Sequence, residues 1–254
     1  MARITIRTLD DVVIAADSRP ELEARHYFSG PGEPLQLCWN RLDAGVALTL
    51  PGTSAACLVY VLGGSVSAGG RALAEGSSAI VEQGACESFV AGEQGAVLLV
   101  FRASQCPAGV RGGGSVHLLP TERVPRTDSF HGTEGVAGGL HADASCSGCQ
   151  LWLHEQAYRD ADRETALHSH SEDEIIFITG GQIRFGRDRY GPGTAIAIAA
   201  NARYAFFSGE GGLRFINFRA ASPTYRSADG KTVLDEAELW RSALGTPHYL
   251  APVS

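Results

Sequence analysis

The sequence predicts an all-β protein made of two copies of one domain, with a single short helix near the C-terminus. Three observations carry this. Residues recur 117 positions apart: Gly63-Gly64 returns as Gly180-Gly181, Gly69 as Gly186, Gly76 as Gly193, Gly92-Glu93 as Gly209-Glu210, Gly95 as Gly212, and Phe101-Arg102-Ala103 as Phe218-Arg219-Ala220. Short runs of β-branched and aromatic residues are divided by turn signals at intervals of ~8–12 residues, the pattern of a sandwich or small barrel. Helical periodicity is weak until the tail. Two copies do not make a solenoid; they imply two similar domains packed as a pseudo-dimer.

The individual elements follow in order. Residues 58–62 and 175–178 read as equivalent strands ending in Gly-Gly. Residues 182–185 alternate. Gly191-Pro192-Gly193 is a turn signal leading into a short apolar strand at 195–198, and 213–218 alternates again. Upstream, Leu35-Gln36-Leu37 resembles the segment around Gln150-Leu151 at an offset of 114, which suggests a three-residue insertion in the second copy. Residues 105–114, rich in Gly and Pro, predict a linker, and 127–147 reads as loop. Residues 232–244 place Val233, Leu234, Ala237, Leu239, Trp240 and Leu244 on one helical face, with Gly245 as the stop.

Composition bounds the function. The 254 residues are 44% hydrophobic, enough for two small cores, and the 31 glycines suit many tight turns. The net charge of −7 comes without a basic cluster, which argues against nucleic-acid binding. The N-terminal stretch alternates rather than forming a secretion signal, and the longest apolar run, 194–200, is too short to span a membrane. The expectation is a cytoplasmic protein acting on a small molecule, as a monomeric pseudo-dimer or a homodimer. Its six cysteines are then reduced thiols. Cys146 and Cys149 form a lone CxxC without a second ligand pair at zinc-site spacing, so they read as incidental. His117, His131 and His141, in or near the linker, read as solvated. No phosphate-binding loop, Ser-His-Asp order or nucleotide signature is present.

One segment carries chemistry. In Leu167-His168-Ser169-His170-Ser171-Glu172-Asp173-Glu174, the two histidines and Glu174 share parity, so an extended chain projects all three to one face. Two imidazoles and a carboxylate suit Fe(II), Mn(II), Ni(II), Zn(II) or Cu(II). They leave coordination positions open for substrate or dioxygen, the logic of non-haem iron oxygenases, so Fe(II) is expected first. Further pocket candidates are His154, on the strand-like 151–158, and Phe215 and Asn217 on 213–218. Sequence alone does not choose between Gln182/Arg184 and Ile183/Phe185 as the inward pair.

HxHxxxE before an apolar strand ending in glycine resembles the first motif of the cupins. Gly191-Pro192-Gly193-Thr194 followed by Ala200-Asn201-Ala202-Arg203-Tyr204 resembles the second. The resemblance implies a bicupin. Residues 1–104 would be a degenerate N-terminal barrel of double-stranded β-helix type. Residues 105–147 would be a linker with the first strand of the second repeat, 148–224 the metal-binding barrel, and 225–254 a helical tail. It also implies one divalent metal per chain on His168, His170 and Glu174, and a metal-dependent enzyme, most simply a dioxygenase. An isomerase or lyase using Tyr204 as acid or base, and a non-catalytic binding or sensing protein, are the alternatives. Where the second motif normally supplies a further histidine, this chain has Tyr204. Tyr204 then has three readings: phenolate ligand to a ferric ion, neutral phenol acting as acid or base, or packing. Arg203 beside it is a candidate for an anionic substrate. In the first copy the positions equivalent to His168, His170, Glu174 and Tyr204 hold Pro51, Thr53, Cys57 and Glu87, a set that predicts a lost metal site.

Overall fold

The computed structural model describes residues 4–16, 18–30, 32–52, 55–104, 113–146 and 148–250. Strand β1 (Ile4–Arg7) opens the chain. Then come β2 (Leu22–Phe28), β3 (Leu35–Leu42), β4 (Ala47–Leu50), β5 (Cys57–Ala68), β6 (Arg71–Ala74), β7 (Ser78–Val81), β8 (Glu87–Ala103) and β9 (Val116–Leu119). Strands β2 to β9 form one eight-stranded sheet, ordered β2-β3-β8-β5-β7-β9 with β4 on β8 and β6 on β5. The remaining strands are β10 (Arg126–Thr127), β11 (Val136–Asp143), β12 (Trp152–Tyr158), β13 (Glu164–His170), β14 (Glu174–Phe185), β15 (Asp188–Tyr190), β16 (Ala195–Ile198), β17 (Tyr204–Arg219), β18 (Thr224–Ser227) and β19 (Val233–Asp235). Together with β1 they form an eleven-stranded sheet, ordered β1-β16-β14-β17-β12-β11-β10 with β13, β15, β18 and β19 off that path. All pairings are antiparallel, and neither sheet closes on itself among the described residues. No helix among them is long and apolar enough to cross a membrane.

The chain divides into two compact units. The eleven-strand unit comprises Met1–Asp11, Pro125–Ala144 and Trp152–Thr246; the eight-strand unit comprises Val12–Val124, Ser145–Leu151 and Pro247–Ser254. The divisions at 104, 147 and 224 expected from the sequence do not coincide with these units. The reason is that the N-terminal strand pairs with β16, while 145–151 and the C-terminal segment return to the eight-strand unit.

The duplication is visible in strand register. In β5 and β8, Cys57 faces Arg102, Leu58 faces Phe101 and Val61 faces Leu98, and the ladder then shifts before Gly63. In β14 and β17, Glu174 faces Arg219, Ile175 faces Phe218 and Ile178 faces Phe215, and the ladder shifts before Gly180. Both sides of the ladder move by the 117 positions seen in the sequence. The recurring glycines have a steric reason. Gly64 and Gly181 sit at φ of 71° and 64°, and a Cβ there would collide with the carbonyl oxygen of Gly95 or Gly212. Upstream the equivalence differs from the expected offset of 114. Cys38 faces Val100 as His154 faces Asn217, an offset of 116 on the first strand, so the insertion is one residue.

Each unit has its own core. Ile176, Ile178, Ile183, Ile196, Phe206, Leu213 and Phe215 pack together in the eleven-strand unit, with Ile4 and Ile6 of β1 against them. Leu42, Val59, Val61, Phe89, Leu98 and Leu118 do the same in the other. Each such side chain contributes about 1.5–3 kcal/mol by leaving water. The register question at 182–185 resolves with Ile183 fully buried and Phe185 on the same face.

Two predicted elements differ. Residues 127–147 contain β11, whose small residues Gly138 and Gly139 admit Trp240 and Glu155 side chains against the backbone. The helix α1 spans only Glu236–Leu244, because Asp235 caps it by accepting from the Ala237 and Glu238 backbone N–H groups. Val233 and Leu234, expected on its apolar face, instead lie exposed in β19. Gly245, at φ 82°, ends the helix as expected.

Candidate functional site

A cavity of about 200 Å³ opens in the eleven-strand unit, walled by β12, β13, β17, β18 and α1. Period-two alternation on β13 brings His168 and His170 to it, both buried, with ring centroids 4.9 Å apart. The Nδ1 of His168 lies 2.6 Å from the Ala166 carbonyl oxygen. A carbonyl only accepts, so Nδ1 carries the proton and Nε2 keeps its lone pair. The Nδ1 of His170 is buried and makes no hydrogen bond. Its nearest anion is Glu236 Oε2 at 3.5 Å.

Glu174, the first residue of β14, is 1% exposed. Its Oε2 accepts from Asn217 Nδ2 and Arg219 Nη2, each at 2.7 Å. Arg219 is equally buried and donates through Nη1 to Glu236 Oε2 at 3.0 Å. One guanidinium thus bridges two interior carboxylates. Burial pushes the Glu236 carboxyl up to about 7, against the pull of Arg219.

Tyr204 heads β17 opposite His168 in register, with its ring 4.4 Å from that imidazole. Burial and the Glu174 charge hold its phenol well above the usual range, which favours the neutral form over a phenolate. Trp152 Nε1 donates to His154 Nδ1 at 2.9 Å, so His154 keeps its proton on Nε2. That imidazole stacks on Trp240 with centroids 4.1 Å apart. His154, Phe215 and Asn217 line the cavity as expected from the sequence. Arg203 does not; it is exposed.

Burial, with Arg219 as a further cause, depresses the protonation of His154, His168 and His170. An imidazole that stays neutral when folded stabilises the fold only above its unfolded value near ~6.5, and that stability is lost as pH falls. Chelator-treated protein is therefore expected to show a urea midpoint that drops steadily between pH 7.5 and 5.5. Glu236 and His117 gain stability as they take up protons over the same range, so the drop is read as the difference from a His168→Gln, His170→Gln protein, and no difference would mean that these histidines take up protons freely in the folded state.

Sequence reasoning passed over Arg219, Glu236, Tyr225 and Trp240. A signal for Arg219 was present, since Phe218-Arg219-Ala220 repeats Phe101-Arg102-Ala103. In the first copy Arg102 faces the buried Cys57, as Arg219 faces Glu174, and lines a separate cavity of about 280 Å³ with Cys38, Asn40 and Pro51. Thr53 lies outside the described residues. Glu87 accepts backbone N–H bonds from Gly69 and Ser88.

The eight-strand unit holds a second cluster. Glu82, His117 and Cys146 bring ligand atoms within 4.8 Å of one another. The Nε2 of His117 is 2.8 Å from Glu82 Oε1, and Cys146 Sγ is 3.4 Å from the same oxygen. This corrects two expectations. His117 is a half-buried residue of β9 rather than a solvated linker residue, and the CxxC has partners distant in sequence. His141 is also fully buried, 3.7 Å from Glu155 Oε2. His131 is exposed, as expected.

No protein-family model matches the sequence, and no curated protein matches it. Solved structures do. A structure of the protein YlbA from E. coli superposes with a TM-score of 0.67 at 16% identity, over 85% of this chain and 90% of that one. A mutant of the Bacillus subtilis oxalate decarboxylase OxdC gives 0.67 at 15%, over 88% and 79%. The formate complex of the Lactobacillus farciminis oxalate decarboxylase gives 0.67 at 11%, over 85% and 86%. A further structure of the Bacillus subtilis enzyme, solved to characterise its Mn(II) centres, gives 0.65 at 15%, over 91% and 78%. At this level of identity the likeness establishes architecture, and the architecture of this chain is the cupin fold.

Proposed function

We propose that the chain is a bicupin and a metal-dependent small-molecule enzyme, with one divalent ion held by His168, His170 and Glu174 in the eleven-strand unit. The observation that carries this reading is the state of the two imidazoles. One has its lone pair fixed by the bond to Ala166, and the other has a buried nitrogen with no hydrogen bond. The donor types suit an ion, and the three ligand atoms, which do not all lie within 4.8 Å of one another, would draw together on it. Asn217 and Arg219 both hold Oε2 of Glu174, the arrangement of a carboxylate whose other oxygen ligates. Fe(II) suits two imidazoles and a carboxylate, and Mn(II) is favoured by the fold shared with the oxalate decarboxylases.

A bound ion would supply a Lewis acid with open coordination positions. The chain supplies the rest. Phe206, Phe215 and Trp240 exclude water and select a small, largely apolar molecule. His154 offers Nε2–H to an oxygen of that molecule, and Tyr204 holds a proton that it can donate. The reading is an oxidoreductase of dioxygenase type in the cytoplasm. The neutral, proton-bearing Tyr204 favours one second reading, a redox-neutral lyase or isomerase. Oxygen consumption during turnover of phenolic or diketone substrates separates the two.

His168→Ala or His170→Ala is expected to weaken metal binding in this unit by orders of magnitude while the far-UV circular dichroism spectrum is kept. The sheet has its own apolar core and does not depend on metal to fold. Unchanged iron or manganese affinity in both variants would remove the assignment.

A further inference from the structure

We propose that Glu82, His117 and Cys146 bind one zinc ion in the eight-strand unit, independently of the cavity that contains His168. Thiolate, imidazole and carboxylate donors meeting at one point suit four-coordinate zinc. The spacing agrees. Bond lengths of ~2.3 Å to sulfur and ~2.0–2.2 Å to oxygen, set at tetrahedral angles, place the two donors roughly 3.5 Å apart. Cys146 Sγ and Glu82 Oε1 are 3.4 Å apart. His117 Nε2 and Glu82 Oε1 are closer, at 2.8 Å, because they share a proton that zinc would replace. These three donors leave the fourth position of a tetrahedral ion to water or to the thiol of Cys149, three residues beyond Cys146.

The surroundings support the ligands. Glu82 Oε2 accepts from the backbone N–H groups of Gly113 and Ser115 at 2.9 and 3.1 Å, which turns Oε1 toward the cluster. Gly113 and Gly148 must both lack a side chain, since a Cβ at either would lie 2.7 or 2.5 Å from a Glu82 oxygen. A pair of incidental thiols would need none of this. The ion would fasten the segment around Cys146 to residues 29 and 64 positions earlier, so its role is a structural clasp.

The test uses the full chain carrying His168→Ala and His170→Ala, so that the proposed catalytic ion contributes nothing. Protein is prepared under reducing conditions, saturated with zinc, desalted and assayed by mass spectrometry of the metal. One zinc per chain is expected, falling at least tenfold on adding Cys146→Ser or His117→Ala. Cobalt(II) in place of zinc, without any substitution in the cluster, is expected to give a thiolate-to-cobalt charge-transfer band that alkylation of Cys146 abolishes. Zinc retained by the Cys146→Ser protein, or a cobalt complex without that band, would overturn the proposal. So would a Cys146–Cys149 disulfide that, once reduced, takes up no zinc. Because the catalytic ligands are absent throughout, failure here leaves the reading of His168 and His170 untouched.

Discussion

Arg219→Ala is expected to cost about 3–5 kcal/mol of folding stability, the range seen when one partner of a buried ion pair is removed. The guanidinium is 1% exposed and is the cation bonded to both Glu174 and Glu236. Without it, two interior carboxylates share one pocket and neither can ionise cheaply. The loss should therefore grow with pH. Glu236 already holds its proton up to about 7, and its folded value would climb further while its unfolded value stays near 4.5. An acid with a raised folded value stabilises the fold below the unfolded value and loses that contribution as pH rises. Urea titrations at pH 6 and pH 8 measure the effect, and adding Glu236→Gln should recover part of it. A change below about 0.5 kcal/mol, typical of an ordinary surface position, would show that the bridge matters little.

Tyr204→Phe removes one oxygen and nothing else from the cavity. The variant is expected to keep its metal and lose turnover by ~10²–10⁴-fold, the usual contribution of a positioned acid or base. Burial and the Glu174 charge keep the hydroxyl protonated and its ring lies against His168, so its proton is held where a bound molecule would need it. The loss should fall on kcat more than on KM. Metal content measured beside the rate separates this from a ligand role, which predicts loss of the ion as well. Full activity in the variant would reduce Tyr204 to packing.

Much of the architecture was legible because it is periodic. The spacing of 117 reappears in the strand ladders, and Gly64, Gly95, Gly181 and Gly212 stand where a backbone carbonyl leaves no room for a Cβ. His168, His170 and Glu174 were legible from parity along an extended chain, and Tyr204 from the resemblance to the second cupin motif. The rest depended on contacts between distant segments. Arg219 reads in sequence as the end of an apolar strand, and only the ladder opposite Glu174 shows its charge to be internal. Glu236 is not among the apolar positions of the expected helix, and only its bond to Arg219 shows that it is internal. The partners of Cys146 are separated from it by most of a unit, which local ligand spacing cannot report.

The pairing of β1 with β16 has a consequence for the order of synthesis. Ile4 and Ile6 leave the ribosome well before their ladder partners, Ile198 and Ile196. At ~5–20 residues per second, roughly 10–40 seconds pass before the two can meet. For that interval the nascent chain carries an apolar strand with no native neighbour, while residues 12–124 of the other unit are already available to condense. The residues of β1 are thus made early and settle late, and completion of the unit that carries His168 and His170 waits on a strand made long before its partner.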